Sequence, residues 1–101
     1  MYRMSDFLRM AKAAAKSAGY NPDLLSLARD GVHKLEYDGV KFGRKGYGDF
    51  IFYQLAEKAG RVAEGTADAR RKSYLARSGN IEGNWRANPK SPNNLARRIL
   101  W

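Results

Sequence analysis

Cysteine is absent from this 101-residue chain, and histidine occurs once, at His33. Without cysteine the chain has no disulfide framework, no thiolate nucleophile and no cysteine-based zinc or iron–sulfur site. A single histidine cannot form a histidine cluster for a metal. Apolar runs, such as residues 50–53, fall far below the roughly 20 residues that a membrane-spanning helix needs. We therefore expect no membrane span and no cofactor.

Acidic residues are also scarce, since 10 Asp and Glu face 19 Lys and Arg, for a net charge of +9. The excess is concentrated near the end of the chain. Residues 1–40 carry six basic and five acidic side chains, whereas residues 69–101 carry eight basic side chains and Glu82 as their sole acid. The length fits one small domain, over residues 1–101. The charge predicts attraction to polyanions or to acidic protein surfaces.

The first 31 residues have the pattern of two helices. Apolar residues at helical spacing predict an amphipathic helix over residues 5–18, with Ser5 as its N-cap and Gly19 as its stop. Asn21-Pro22 then predicts the start of a second short helix, which continues through Ala28. We expect residues 1–31 to form an N-terminal helical pair.

Asp38-Gly39 lies between two alternating runs and predicts a β-hairpin with a two-residue turn. In that register one face is apolar and the other carries a pair of complementary charge. The expected cross-strand pairs are Tyr37 with Val40, Leu35 with Phe42, and Glu36 with Lys41.

Three further helices follow the hairpin in residues 32–101. Asp49 predicts the cap of a helix from Phe50 to Ala59, and Thr66 or Asp68 predicts the start of the next helix, through Arg77. Ser91-Pro92 predicts the beginning of a final short helix. The expected fold is therefore α+β and predominantly helical, with four to five short helices around one β-hairpin.

No residue pattern in the sequence strongly indicates a catalytic site. His33 has no nucleophile or acid tied to it by a motif, so a hydrogen-bonded or exposed structural histidine is the favoured interpretation. The glycine-rich turn over residues 43–48, with Arg44 and Lys45, could present backbone N–H groups to a phosphate. It lacks the Gly-Lys-Ser/Thr ending of a P-loop, and Asp49 would occupy the following helix N-terminus. We interpret it as a structural turn.

The most informative functional feature is the basic, aromatic-bearing end of the chain. Such a surface can neutralise phosphates without reading sequence, or it can form forked arginine contacts with carboxylates of another protein. The alternative is a solvated basic face with its aromatic residues in the core. The candidate partner-binding residues are Arg70, Arg71, Lys72, Arg77, Arg86, Arg97, Arg98 and Trp101.

Four motifs along the last two-thirds of the chain occur in a fixed order. They are VKFGRKGYGDF over residues 40–50, ARRKSYLAR over residues 69–77, Asn84-Trp85 with Pro89, and LARRILW over residues 95–101. This ordered set resembles a family of small basic proteins encoded by large double-stranded DNA viruses and some phages. The family has no assigned enzymatic role, so the resemblance implies a viral origin and a component of the virion, and no catalytic residue is carried over.

The sequence thus favours a non-enzymatic structural protein, a minor capsid or capsid-associated component that bridges larger shell proteins through its basic surface. Its partners would be other viral capsid proteins, with no small-molecule substrate, and it would reside in the virion, or in solution inside the cell if it is not viral. The alternative is a sequence-nonspecific nucleic-acid-binding protein packaged with a viral genome. Trp101 is expected to be an anchor, docked against Leu35 and Phe42 or inserted into a partner.

Overall fold

The computed structural model describes residues 4–101, which contain four α-helices and a three-stranded antiparallel sheet. The predicted α+β class is therefore confirmed. None of the helices in this part of the chain has the length and apolarity to cross a membrane. The main elements are α1 (Met4–Ser17), β1 (Leu25–Leu27), β2 (His33–Tyr37), β3 (Val40–Arg44), α2 (Phe50–Lys58), α3 (Thr66–Ser78) and α4 (Pro92–Leu95).

Helix α1 agrees with the prediction from apolar spacing. Its buried residues, Phe7, Ala11 and Ala15, recur every four positions and so lie on one side of the helix. Ser5 lies inside α1 rather than before it, so it is not the N-cap that we expected. The chain leaves the helix through Gly19, which has a positive φ of 90°.

The second predicted helix is wrong, and with it the N-terminal helical pair. Asn21 does cap a helical turn by accepting a hydrogen bond from the backbone of Asp23, but this 3₁₀ turn ends at Leu24. The next residues form β1, which pairs with β2 in the register Leu25 to Tyr37 and Leu27 to Leu35. Pairing with an existing hairpin gives these backbone groups partners and buries Leu25, and neither effect is visible in a local pattern.

The predicted hairpin and its register are confirmed. Strands β2 and β3 are antiparallel, with the three predicted cross-strand pairs in place. Asp38 and Gly39 have φ values of 48° and 86°, the two positive values that a type I′ turn requires. Leu35, Tyr37 and Phe42 are buried and form the inner face of the sheet.

Helices α2 and α3 pack against each other, and α2 also contacts α1. Asp49 caps α2 as predicted, because its Oδ1 accepts a hydrogen bond from the backbone N–H of Phe52 at 2.8 Å. Helix α3 begins at Thr66, with Gly65 as its N-cap and no side-chain capping bond. It buries only Ala67 and Ser78.

The C-terminal segment closes the core. Ser91 caps α4 as predicted, and α4 continues into a π-helical turn over Ala96–Leu100. This turn packs against α1, and α4 packs against β3. The buried core cluster consists of Phe7, Ala11, Ala15, Leu25, Leu35, Tyr37, Phe42, Ile51, Leu95, Ile99 and Leu100.

Candidate polyanion-binding cleft

A cleft of about 920 Å³ lies between the glycine-rich turn after β3 and the exposed side of α3. The turn supplies Arg44 and Tyr47 to one wall, and α3 supplies Arg70 and Arg77 to the other. The end of the chain closes the cleft with Trp101. Three segments that are far apart in sequence therefore meet around one space, and each contributes a basic or an aromatic side chain.

An ion pair between Lys34 and Asp49 forms part of the cleft lining. The Lys34 Nζ atom lies 2.6 Å from Asp49 Oδ2 and also donates to the backbone carbonyl of Tyr47. Both side chains are almost completely buried. Burial raises the pKa of Asp49, and the charge and hydrogen bond of Lys34 oppose that rise. Because the two charges neutralise each other, Asp49 does not give the cleft a net negative charge.

Close packing holds the glycine-rich turn in place. A Cβ atom on Gly48 would lie 2.7 Å from the Tyr53 ring, and a Cβ atom on Gly43 would lie 2.6 Å from Leu100 Cδ1. A larger residue at either position would therefore force the Tyr53 or Leu100 side chain to move. Tyr47 lies in the exposed part of the turn, with 66% of the residue open to solvent.

The basic side chains of the cleft rim have aromatic neighbours and no acidic partners. The Arg70 guanidinium carbon lies 5.5 Å from the Tyr53 ring centroid, and that of Arg44 lies 6.0 Å from the Tyr47 ring centroid. Arg77 also lines the cleft and is exposed. In residues 4–101 the salt bridges involve Arg9, His33, Lys34 and Lys90, so the rim arginines are not neutralised by carboxylates.

Two of the predicted partner-binding residues serve the fold instead. Arg97 donates from Nη1 to the carbonyl of Leu75 at 2.9 Å and to Ser78 Oγ, and Arg86 donates from Nη2 to the carbonyl of Gly79. Both guanidinium groups also lie over the Trp85 ring, at 4.4 Å for Arg86 and 5.5 Å for Arg97. They satisfy carbonyls at the C-terminus of α3, where the helix dipole favours positive charge.

The remaining predicted residues divide between the cleft and other surfaces. Trp101 lines the cleft and stacks on Tyr74, with ring centroids 4.3 Å apart and an interplanar angle of 11°. It is thus docked within the chain, against the core cluster that includes Leu35 and Phe42. Arg71 lies over the Phe50 ring, and Lys72 and Arg98 are exposed and do not line the cleft.

Sequence reasoning identified Trp101 and missed the three tyrosines that line the cleft. Tyr47, Tyr53 and Tyr74 come from three different segments, and no spacing rule connects them. A signal was present only for Tyr47, because an aromatic residue between two glycines in a turn has no local reason to be buried. The glycine-rich turn was interpreted as structural, and it is also one wall of the cleft.

The single histidine lies apart from these residues. His33 Nδ1 lies 2.6 Å from Asp30 Oδ2, and Asp30 Oδ1 accepts hydrogen bonds from the backbone of Val32 and His33. These bonds hold the pKa of Asp30 well below its usual range. The pair thus organises the turn before β2, as expected for a hydrogen-bonded histidine. Within residues 4–101 no group of three His, Cys, Asp or Glu residues is placed to hold a metal ion.

Comparisons of this chain with protein-family models, with curated proteins and with solved structures find no match. The viral resemblance of the sequence motifs therefore stays a prediction. Function has to be argued from the cleft and its charges.

Proposed function

We propose that this chain is a non-enzymatic binding protein that holds the phosphate backbone of nucleic acid at the cleft rim, without reading sequence. One observation carries the proposal: Arg44, Arg70 and Arg77 surround a cleft in which, among the lining residues of the described chain, the one acidic side chain, Asp49, is paired with Lys34. Guanidinium groups without acidic partners attract anions, and a concave surface concentrates that attraction.

The distribution of arginines favours nucleic acid over the capsid-bridging function that the sequence alone favoured. Either function was expected to use the C-terminal cluster, but its members Arg86 and Arg97 are bonded within the chain. The rim arginines instead occur together with tyrosine and tryptophan rings. Basic side chains interleaved with aromatic rings are typical of proteins that bind nucleic acid by charge and stacking.

A capsid-associated protein in a viral particle is the second candidate, and Ile81 favours it. This residue lines the cleft and is 53% exposed. A phosphate backbone would leave an apolar side chain uncovered, whereas an acidic segment of a shell protein could bury it. Arginine and tyrosine are also enriched in the centres of protein interfaces.

The two candidates differ in what they bind, so direct binding measurements separate them. Fluorescence anisotropy of a labelled 20-nucleotide DNA of mixed sequence, as single strand and as duplex, is measured against protein at several salt concentrations. Three phosphate contacts to a single strand predict a slope of log K against log salt of about −2. We expect a dissociation constant in the micromolar range at physiological salt, roughly 10⁻⁴ to 10⁻⁶ M.

A charge-matched pair of variants tests whether nucleic acid binds at the cleft. Replacing Arg70 and Arg77 by glutamine should weaken binding and make the salt slope shallower, at about −1 or closer to zero. The reason is that each lost phosphate contact reduces the steepness of the slope by roughly one unit or slightly less. Replacing Lys16 and Arg61 by glutamine removes the same charge from exposed positions outside the cleft lining and should change the slope little. No saturable binding to either DNA, together with binding to a polyglutamate peptide, would overturn the proposal in favour of a protein partner.

A further inference from the structure

Resting on the proposed function, we propose that the cleft binds unpaired nucleotides, so that the protein prefers single-stranded nucleic acid to duplex. The rim arginines would contact phosphates, and bases would enter the cleft and stack on its aromatic side chains. Three features of the cleft favour unpaired nucleotides: an exposed ring on an anchored turn, an aromatic stack in the opposite wall, and a concave shape.

Tyr47 provides the exposed ring. Its backbone carbonyl accepts a hydrogen bond from the buried Lys34 amine, and the neighbouring Gly48 packs directly on Tyr53. The turn is therefore held at its backbone while two-thirds of Tyr47 remains open to solvent, at 66% exposure. An apolar ring that is exposed on a restrained backbone loses little conformational freedom when a base stacks on it.

The opposite wall contributes the second aromatic surface. Tyr74 and Trp101 stack in parallel and both line the cleft, and neither residue is fully buried. Arg70 and Arg77 lie on the same helix as Tyr74, one helical turn before it and one after it. Cations therefore flank an aromatic platform, which is how proteins that bind single strands combine phosphate contacts with base stacking.

The concave shape discriminates between the two forms of nucleic acid. The cleft volume of about 920 Å³ is near the upper end of the roughly 300–1,000 Å³ typical of ligand sites, so it can take small planar groups but not a double helix. In a duplex the base faces are already stacked on each other and cannot reach Tyr47 or Trp101. Duplex would contact only the rim arginines, whereas a single strand would contact the rim and the rings.

The experiment compares a labelled 20-nucleotide single strand with a duplex of the same sequence, at the same salt concentration, for the full chain and for Tyr47 variants. Losing one base stack costs about 5- to 150-fold in affinity. We expect Tyr47→Ala to weaken single-strand binding within that range and to leave duplex binding within twofold. Tyr47→Phe keeps the ring and should bind single strands like the original chain. Far-UV circular dichroism checks that each variant stays folded, which the exposure of Tyr47 predicts.

Each outcome of this comparison decides the inference. Preference for the single strand by tenfold or more, lost in Tyr47→Ala and kept in Tyr47→Phe, supports it. Equal binding of both forms that Tyr47→Ala does not change would overturn the stacking inference and leave the phosphate-binding function intact. Absence of binding to both forms would overturn the proposed function itself.

Discussion

Removing the buried Lys34 amine should cost far more stability than an ordinary surface change. Lys34→Met leaves the Asp49 carboxylate buried without a cation, and such a loss costs about 3–5 kcal/mol. That is a large share of the roughly 5–15 kcal/mol that stabilises a domain of this size. The cost would come from the unpaired charge, because replacing a whole buried ion pair by neutral side chains is often close to neutral in stability.

The matched variant is the double replacement Lys34→Met with Asp49→Asn. Asparagine keeps the side-chain oxygen that accepts the Phe52 N–H and so preserves the cap of α2. No charge then remains buried. We expect the double variant to be at least about 2 kcal/mol more stable than Lys34→Met alone, since an unpaired buried ion accounts for most of the single-variant loss.

The pH dependence of stability gives an independent check that the unpaired charge of Asp49 causes the loss. Burial raises the pKa of Asp49, and in Lys34→Met only the hydrogen bonds from the backbone of Phe52 and Ile51 still oppose that rise. A raised pKa in the folded state adds stability at low pH that is lost as pH rises through it. The deficit of Lys34→Met should therefore be larger at pH 7 than near pH 4, whereas the deficit of the double variant, which lacks this carboxyl, should not grow between pH 4 and pH 7.

Urea unfolding followed by far-UV circular dichroism measures these differences, with unchanged m-values as the control for a comparable unfolded state. If Lys34→Met alone fails to fold, folding of the double variant remains the decisive observation. Equal stability of the single and double variants at pH 7 would refute the reasoning, because the buried charge would then not be the source of the loss.

Three further predictions concern the hairpin turn, the internal Arg97 and the Asp30 carboxylate. Gly39→Val should lower stability by about 1–3 kcal/mol because a β-branched residue must adopt a φ of 86°, and Gly39→Asn should lose less; equal melting temperatures would contradict the strain argument. Arg97→Met should cost about 1.5–3 kcal/mol, the value of charge-assisted hydrogen bonds. Arg77→Met, at an exposed position, should stay within about 0.5 kcal/mol in the same urea titration, and similar losses would argue against an internal role for Arg97. For Asp30, the lowered pKa means that its contribution to stability is lost as pH falls below the ordinary value of 3.8; the difference between the original chain and Asp30→Asn should therefore shrink between pH 5 and pH 2, and a constant difference would contradict the assignment.

The parts of the fold that the sequence predicted well are those set by local chemistry. Asp38-Gly39 specifies a turn with two positive φ values, and the alternation on either side then leaves one register with an apolar face. Asp49 and Ser91 are N-caps because short polar side chains can accept a hydrogen bond from the helix backbone nearby. The turn and the N-caps each depend on residues within a few positions of one another.

The failures occur where distant segments decide the outcome. Leu25 and Leu27 fit a helix as well as a strand, and pairing with the open edge of β2 places them in a strand. The partners of Arg97 lie 19 and 22 positions away on α3, so its internal role has no local signature. The cleft tyrosines were missed for the same reason, because they come from segments that meet only in the folded chain.

The division of the arginines connects the fold to the proposed function. Helix α3 buries little apolar surface, and polar contacts supplement its packing on α2. Glu57 accepts a hydrogen bond from the backbone of Ala67 at one end, and Arg86 and Arg97 bind carbonyls at the other. Helix α3 also carries the rim arginines Arg70 and Arg77. The internal bonds of Arg86 and Arg97 therefore hold in place the helix that presents these two arginines to a partner. A cluster that looks uniform in the sequence therefore has two roles, and only its cleft members should change affinity without changing stability.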